Sequence, residues 1–115
     1  MPRARSPLRL SGFVQTFTID FMNTPITWNA FEAQSHAAGY PEVVAKQWAA
    51  DLTLDEHSHP FDVQARVVEG ELWLGCGEHS QHLSAGDVFN LAAHTPHTER
   101  YGAQGALVWI ARRPV

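Results

Sequence analysis

His57-Ser58-His59-Pro60-Phe61-Asp62-Val63-Gln64-Ala65-Arg66-Val67-Val68-Glu69-Gly70-Glu71 is the stretch on which the reading of this chain turns. An extended backbone at its start places His57 and His59 on one face, because strand side chains alternate with a period of two. After the Pro60-Phe61 turn, Val63, Ala65 and Val67 share one face, and Gln64 and Arg66 share the other. Alternation of this kind predicts a strand with one apolar side. Two imidazoles facing into the same interior carry a desolvation cost unless their nitrogens are satisfied, and a metal ion does that directly.

A second stretch, Gly86-Asp87-Val88-Phe89-Asn90-Leu91-Ala92-Ala93-His94-Thr95-Pro96-His97, brings another close histidine pair. Seven histidines in 115 residues are an outlier, and four of them fall in these two pairs. Imidazole is the commonest protein metal ligand, so the pairs are where a site is sought. His94 lies in the loop before His97 and reads as an exposed loop residue, with a rim or acid/base role as the alternative. His36, His79 and His82 read as surface residues.

From Val43 onward, short strands are expected at Val43–Ala49, Leu52–Glu56, Val63–Val68, Glu71–Gly75, His79–Leu83, Val88–Asn90, Thr98–Tyr101 and Leu107–Ala111. Turn signals separate them, among them Glu69-Gly70, the stretch from Gly75 to Gly77 that carries Cys76, and the stretch from Gly102 to Gly105. Many short strands with regular punctuation predict an all-β barrel or sandwich. The one helix expected runs from Trp28 to Ala38, capped by Thr27 and ended by Gly39. Upstream, residues 1–12 read as a disordered tail, and Phe13 to Phe21 alternates as a strand that can pair at a sheet edge or with a partner subunit. Trp48, Trp73 and Trp109 fall in expected strands and read as barrel core or dimer interface. Phe61, Phe89 and Tyr101 are candidates for a pocket mouth.

Composition bounds the rest. With 44% hydrophobic and 17% charged residues, the chain has an ordinary globular balance. Its formal charge of −4 argues against nucleic-acid binding. The arginines gather at the two ends, Arg3, Arg5 and Arg9, then Arg112 and Arg113, and read as solvated tails. The single cysteine excludes an intrachain disulfide, which fits a reducing compartment. No apolar run approaches the roughly 18 residues of a membrane span. A cytoplasmic protein, assembled as a symmetric homodimer, is the expectation.

The two histidine stretches resemble the two motifs of the cupin superfamily. The first motif there runs His-x-His, three or four residues, Glu, six residues, Gly. The second runs Gly, five residues of which the first is Asp, Pro-x-Gly, two residues, His. The resemblance spans roughly residues 43 to 111. It implies an all-β double-stranded β-helix, or jelly-roll barrel, with one short N-terminal helix, occupying residues 13–115 with its core over 42–113. It also implies that His57, His59 and His97 are the metal ligands.

Three departures matter. The motif's glutamate falls at Val63, which cannot bind metal. The leading glycine of the first motif falls near Asp51, and the Pro and Gly of the second are replaced by Ala92 and His94.

A fourth ligand is therefore sought in Gln64, Asp62 or Glu99, or the site has three histidines and open positions. Glu99 lies two residues past His97 on the same strand face. Glu99, His94 and Asp62 are the candidate acid/base groups. Three imidazoles suit one divalent ion, Fe, Zn, Ni or Mn. Iron with open positions suits dioxygenation, and zinc suits hydrolysis or isomerisation. The expected function is a metal-binding small cupin, oxygenase-like or isomerase-like, acting on a small organic molecule. The alternative is a non-catalytic binder or sensor of a small ligand.

Overall fold

A computed structural model describes residues 26–115; the expected tail and the Phe13–Phe21 strand lie outside the described residues. The elements are α1 (Trp28–Ala37), β1 (Glu42–Trp48), β2 (Thr53–His57), β3 (Phe61–Cys76), β4 (His79–Ser84), β5 (Val88–Leu91) and β6 (His97–Pro114). Every strand pairing is antiparallel.

Two long strands organise everything. β3 and β6 pair with each other along nearly their whole length, from Phe61↔Pro114 to Gly75↔Thr98. Each also takes two outer partners in turn. β3 is flanked by β5 along its first half and by β4 along its second. β6 is flanked by β2 along its first half and by β1 along its second. The result is two four-stranded layers, β1-β6-β3-β5 and β2-β6-β3-β4, continuous through the same two strands. This is the double-stranded β-helix that the motifs imply.

The expected breaks at Glu69-Gly70 and Gly102–Gly105 are bends inside β3 and β6, not strand ends. At the β3 bend the register with β6 shifts between Val67 and Glu69 and again between Gly70 and Leu72. The inward stripe changes parity there: Val63, Ala65 and Val67 are buried before the bend, and Leu72, Leu74 and Cys76 after it. β6 does the same, with His97 and Tyr101 buried before its bend and Ala106, Val108 and Ile110 after it. Such bulges turn a strand sharply without ending it. Gly70 and Gly105 permit the turn. Both have positive φ (80° and 68°), and a Cβ on Gly70 would stand 2.1 Å from the Gly105 carbonyl oxygen. Any side chain there would push β3 and β6 apart.

The core lies between the layers and contains Leu72, Leu74, Leu83, Val67 and Val108, each nearly inaccessible. Cys76 belongs to it as the last residue of β3, rather than to the turn expected around it. Burial pushes its thiol pKa up, so the sulfur behaves as a small apolar group.

α1 closes the outer face of β1 and β6. Its buried residues, Phe31 and Ser35, are one turn apart. Trp28 and Phe31 meet Trp109 at centroid distances of 5.4 and 5.5 Å. Thr27 accepts the Ala30 N–H at 3.0 Å and caps the helix. Among the described residues no helix is long and apolar enough to cross a membrane.

Candidate metal centre

His57 ends β2, His97 begins β6, and the two are directly paired across the sheet. His59 follows in the short connection to β3. Three imidazoles from two separate stretches thus converge, with ring centroids 4.3 Å apart for His57–His97, 5.0 Å for His57–His59 and 5.3 Å for His59–His97. One nitrogen from each ring lies within 4.8 Å of the others. That is close enough for small side-chain rotations to bring all three onto one ion, whose bonds to nitrogen are about 2.0–2.1 Å.

The orientation of two rings is fixed from behind. His57 Nδ1 donates to the Asp55 carbonyl at 2.7 Å, and His97 Nδ1 donates to the Thr95 carbonyl at 2.8 Å. A carbonyl only accepts, so both Nδ1 atoms carry hydrogen and both Nε2 atoms carry the lone pair of the neutral ring. Those Nε2 atoms face a carboxylate. Glu99 Oε2 is 3.2 Å from His57 Nε2 and 3.4 Å from His97 Nε2. Two lone pairs and a carboxylate oxygen around one point repel unless a proton or a cation sits among them. Backbone carbonyls that hold imidazole Nδ1–H groups are the usual support of metal-ligating histidines. The donor set therefore fits a divalent ion.

Without the ion, protons do the same work. Burial is the largest single influence on His97 and pulls its pKa down. The hydrogen bonds to Glu99 and to the Thr95 carbonyl, with the Glu99 charge, outweigh it and leave the pKa raised. Glu99 behaves conversely: burial pushes it up, but His97, the Tyr101 hydroxyl and the charge of His57 hold its carboxyl below the ordinary value. At His59 the Glu99 charge pulls upward, as at His97, but is outweighed. Burial, followed by the nearby His97 and His57, lowers its pKa.

Glu99 is also gripped from its other side. The Tyr101 hydroxyl donates to Glu99 Oε1. Tyr101 is buried and stacks on Trp48 at 5.1 Å with the planes 14° apart. Burial first, then the Glu99 charge and hydrogen bond, raise the phenol pKa so far that the hydroxyl stays protonated.

A cavity of about 100 Å³ opens onto the three histidines and Glu99. Phe61, Val63, Ala65, Leu74, Phe89 and Leu91 contribute its apolar wall, and Trp48 and Tyr101 also line it. Phe61, Phe89 and Tyr101 are thus where the sequence suggested. Trp48 both packs on the core and faces the cavity. Trp73 instead lies outside, between His82 (4.6 Å) and the Arg100 guanidinium (4.0 Å).

The remaining candidates do not reach the cavity. Gln64 alternates with the inward Val63 and Ala65 and pairs with Asn90 and Ala111; nothing in the backbone shifts it inward, so it is displaced as a fourth ligand. Asp62 accepts from Ala93 N–H at 2.8 Å and from Arg113 Nη2 at 2.9 Å, so it ties the 92–96 loop to β6 and is not an acid/base group. His94 is exposed and its N–H donates to the His59 carbonyl at 2.7 Å. That bond joins the loop before His97 to the loop carrying His59. The reading of Arg112 and Arg113 as a solvated tail fails too: both are in β6, Arg113 bonded to Asp62 and Arg112 lining the cavity. Their position on a paired strand gave no sign in a sequence whose charges cluster at its end.

No protein-family model matches the chain, and no curated protein matches it in sequence. Solved structures do match. The chain is similar to KdgF from Halomonas sp., at 24% identity and a TM-score of 0.57 over 67% of this chain and 74% of that one. It is similar to an RmlC-like cupin from Shewanella frigidimarina NCIMB 400, at 25% identity and a TM-score of 0.54 over 64% and 68%. A chain from the structures of the DMSP lyases RdDddP and RnDddQII aligns at 20% identity with a TM-score of 0.58, over 64% of this chain. The present chain spans only 38% of that lyase chain. With its two layers wound through β3 and β6 and its likeness to these proteins, the chain has the double-stranded β-helix fold of the cupins.

Proposed function

We propose that the chain is a metal-dependent enzyme acting on a small organic molecule by proton transfer, in an isomerisation or an elimination. His57, His59 and His97 would hold one divalent ion, which supplies a Lewis acid to polarise an oxygen of the substrate. Glu99 is the one carboxylate among the described residues lining the cavity. It is held ionised, so it can take a proton from carbon beside the polarised oxygen. Tyr101 acts as a positioning residue: by binding Oε1 it leaves Oε2 directed at the histidines. The cavity is smaller than the ~300 Å³ at which drug-sized ligand pockets begin, which supports a substrate of few atoms.

The observation that carries this reading is the convergence of Glu99 on the histidine cluster. With three imidazoles sufficient to hold the ion, an ionised carboxylate beside them is free to act as a base. The test begins with elemental analysis of protein purified without added metal. About one divalent ion per chain, lost in His57→Ala, is expected. Absence of metal in both, with no thermal shift on adding Fe, Zn, Ni or Mn, rejects the reading. The loaded protein is then incubated with small keto and hydroxy compounds in deuterated water, where deuterium uptake at carbon reports proton abstraction.

A further inference from the structure

We infer that Arg112 sets the substrate class: it is the anchor for a carboxylate on the small molecule that enters the cavity. The inference rests on the cavity being the reaction site, as proposed above. Along the second half of β6 the inward stripe runs Val108, Ile110, Arg112, and all three line the cavity. Two apolar positions are thus followed, in phase, by a guanidinium. Arg112 is the one Lys or Arg among the described residues lining that cavity. Its neighbour Arg113 points the other way and is occupied by Asp62 in a two-nitrogen grip.

Arg112 is held far more loosely. A single contact of 3.1 Å joins its Nη1 to Glu42, whose side chain is 56% exposed. The guanidinium lies over the Phe61 ring, 5.4 Å from its centroid, and Phe61 in turn stacks on His59 at 4.9 Å with planes 11° apart. This series runs from the cation to the histidine cluster along the cavity wall. An exposed carboxylate makes a weak ion pair, and a substrate carboxylate that binds the planar fork with two hydrogen bonds can displace it. A small molecule anchored in this way lies with its other end toward the histidines and Glu99.

The probe is propionate, with propionamide as its neutral counterpart, titrated into zinc-loaded and metal-free protein while the arginine Nε–H signals are followed by NMR. Saturable propionate binding that moves the Arg112 signal is expected, with propionamide much weaker. Arg112→Met should weaken propionate at least about tenfold, the scale of one charge-assisted hydrogen bond, with zinc content unchanged. Arg112→Lys should recover part of the loss. Glu42→Gln, which frees the guanidinium, should tighten binding. Equal binding by Arg112→Met and the parent protein, equal binding of propionate and propionamide, or no saturable binding at all overturns the inference. Failure to take up zinc would instead strike the metal reading, and the metal-free titration would still decide the role of Arg112.

Discussion

Glu99 Oε2 stands 3.2 Å from His57 Nε2, so the acid that the cupin motif carries at the position of Val63 is supplied here from a different strand. Val63 is an apolar wall residue on β3, and Glu99 reaches the same histidines from β6, two residues past His97. A carboxylate thus faces the histidines from β6, while the β3 position in the same cavity is apolar.

Replacing that carboxylate separates the two tasks of the site. If three histidines hold the ion and Glu99 handles the proton, Glu99→Gln keeps stoichiometric metal while turnover falls by about 10²–10⁴, the usual contribution of a general base. His57→Ala loses both. Elemental analysis beside a rate measurement distinguishes them. A Glu99→Gln protein that emerges as metal-poor as His57→Ala would make Glu99 a ligand and remove it from proton transfer.

The pH dependence of stability should reverse when metal is added. In the metal-free protein the raised pKa of His97 contributes stability that is complete below its ordinary value of 6.5 and is lost as pH rises through the folded value. The lowered pKa of Glu99 contributes stability above 4.5, lost as pH falls through its folded value. The pair therefore helps most between about pH 4.5 and 6.5. His59, with its lowered pKa, opposes this below 6.5. Metal requires all three imidazoles neutral, so its stabilisation grows above that range. Thermal unfolding at pH 5.5 and pH 8, with and without zinc, should show a larger zinc-induced rise in Tm at pH 8. Glu99→Gln in the metal-free protein should lose more at pH 5.5 than at pH 8. A zinc effect independent of pH would be incompatible with imidazole ligation.

Asp62 carries a structural prediction. Its carboxylate holds the Ala93 N–H at 2.8 Å, and that backbone hydrogen bond, ahead of Arg113, keeps its pKa low. Asp62→Ala should destabilise the fold by about 1–2 kcal/mol, because a partly buried N–H loses its partner. The damage should centre on the loop that delivers His97, and zinc affinity should fall with it. Denaturant titration and zinc titration on the same protein measure both. An unchanged zinc affinity would show that β6 alone positions His97.

Much of the site was legible because its parts obey strand periodicity. His57 with His59, and His97 with Glu99, are each two residues apart, and each pair meets the others in the cavity. The motif spacing carried the fold. The lengths of β3 and β6 were not legible, since glycine signals a turn equally well whether the strand ends or bends. Gly70 and Gly105 stay inside their strands because the paired partner continues beside them, a long-range fact absent from a local window. Arg112 was missed for a related reason: only the parity flip at the 102–105 bend brings position 112 to the inner face with Val108 and Ile110.

The two missing motif glycines yield the last prediction. Among the described residues, Asp51 and His94 are the non-glycine residues with positive φ, 58° and 65°. These are the places where the cupin motifs have glycine, and the backbone adopts there the left-handed turn that glycine favours. Asp and His tolerate that region better than most side chains, but not as freely as glycine. Asp51→Gly and His94→Gly should each leave stability within about 1 kcal/mol of the parent, relief of strain offsetting the extra freedom of the unfolded chain. A β-branched residue has no such tolerance, so His94→Val should cost about 1–2 kcal/mol and disturb the Thr95 carbonyl that orients His97. Unfolding midpoints for the three variants test this. Equal stability of His94→Val and His94→Gly would mean that the loop can abandon its left-handed turn, and that the backbone bond from His94 to His59 is not what holds the two histidine loops together.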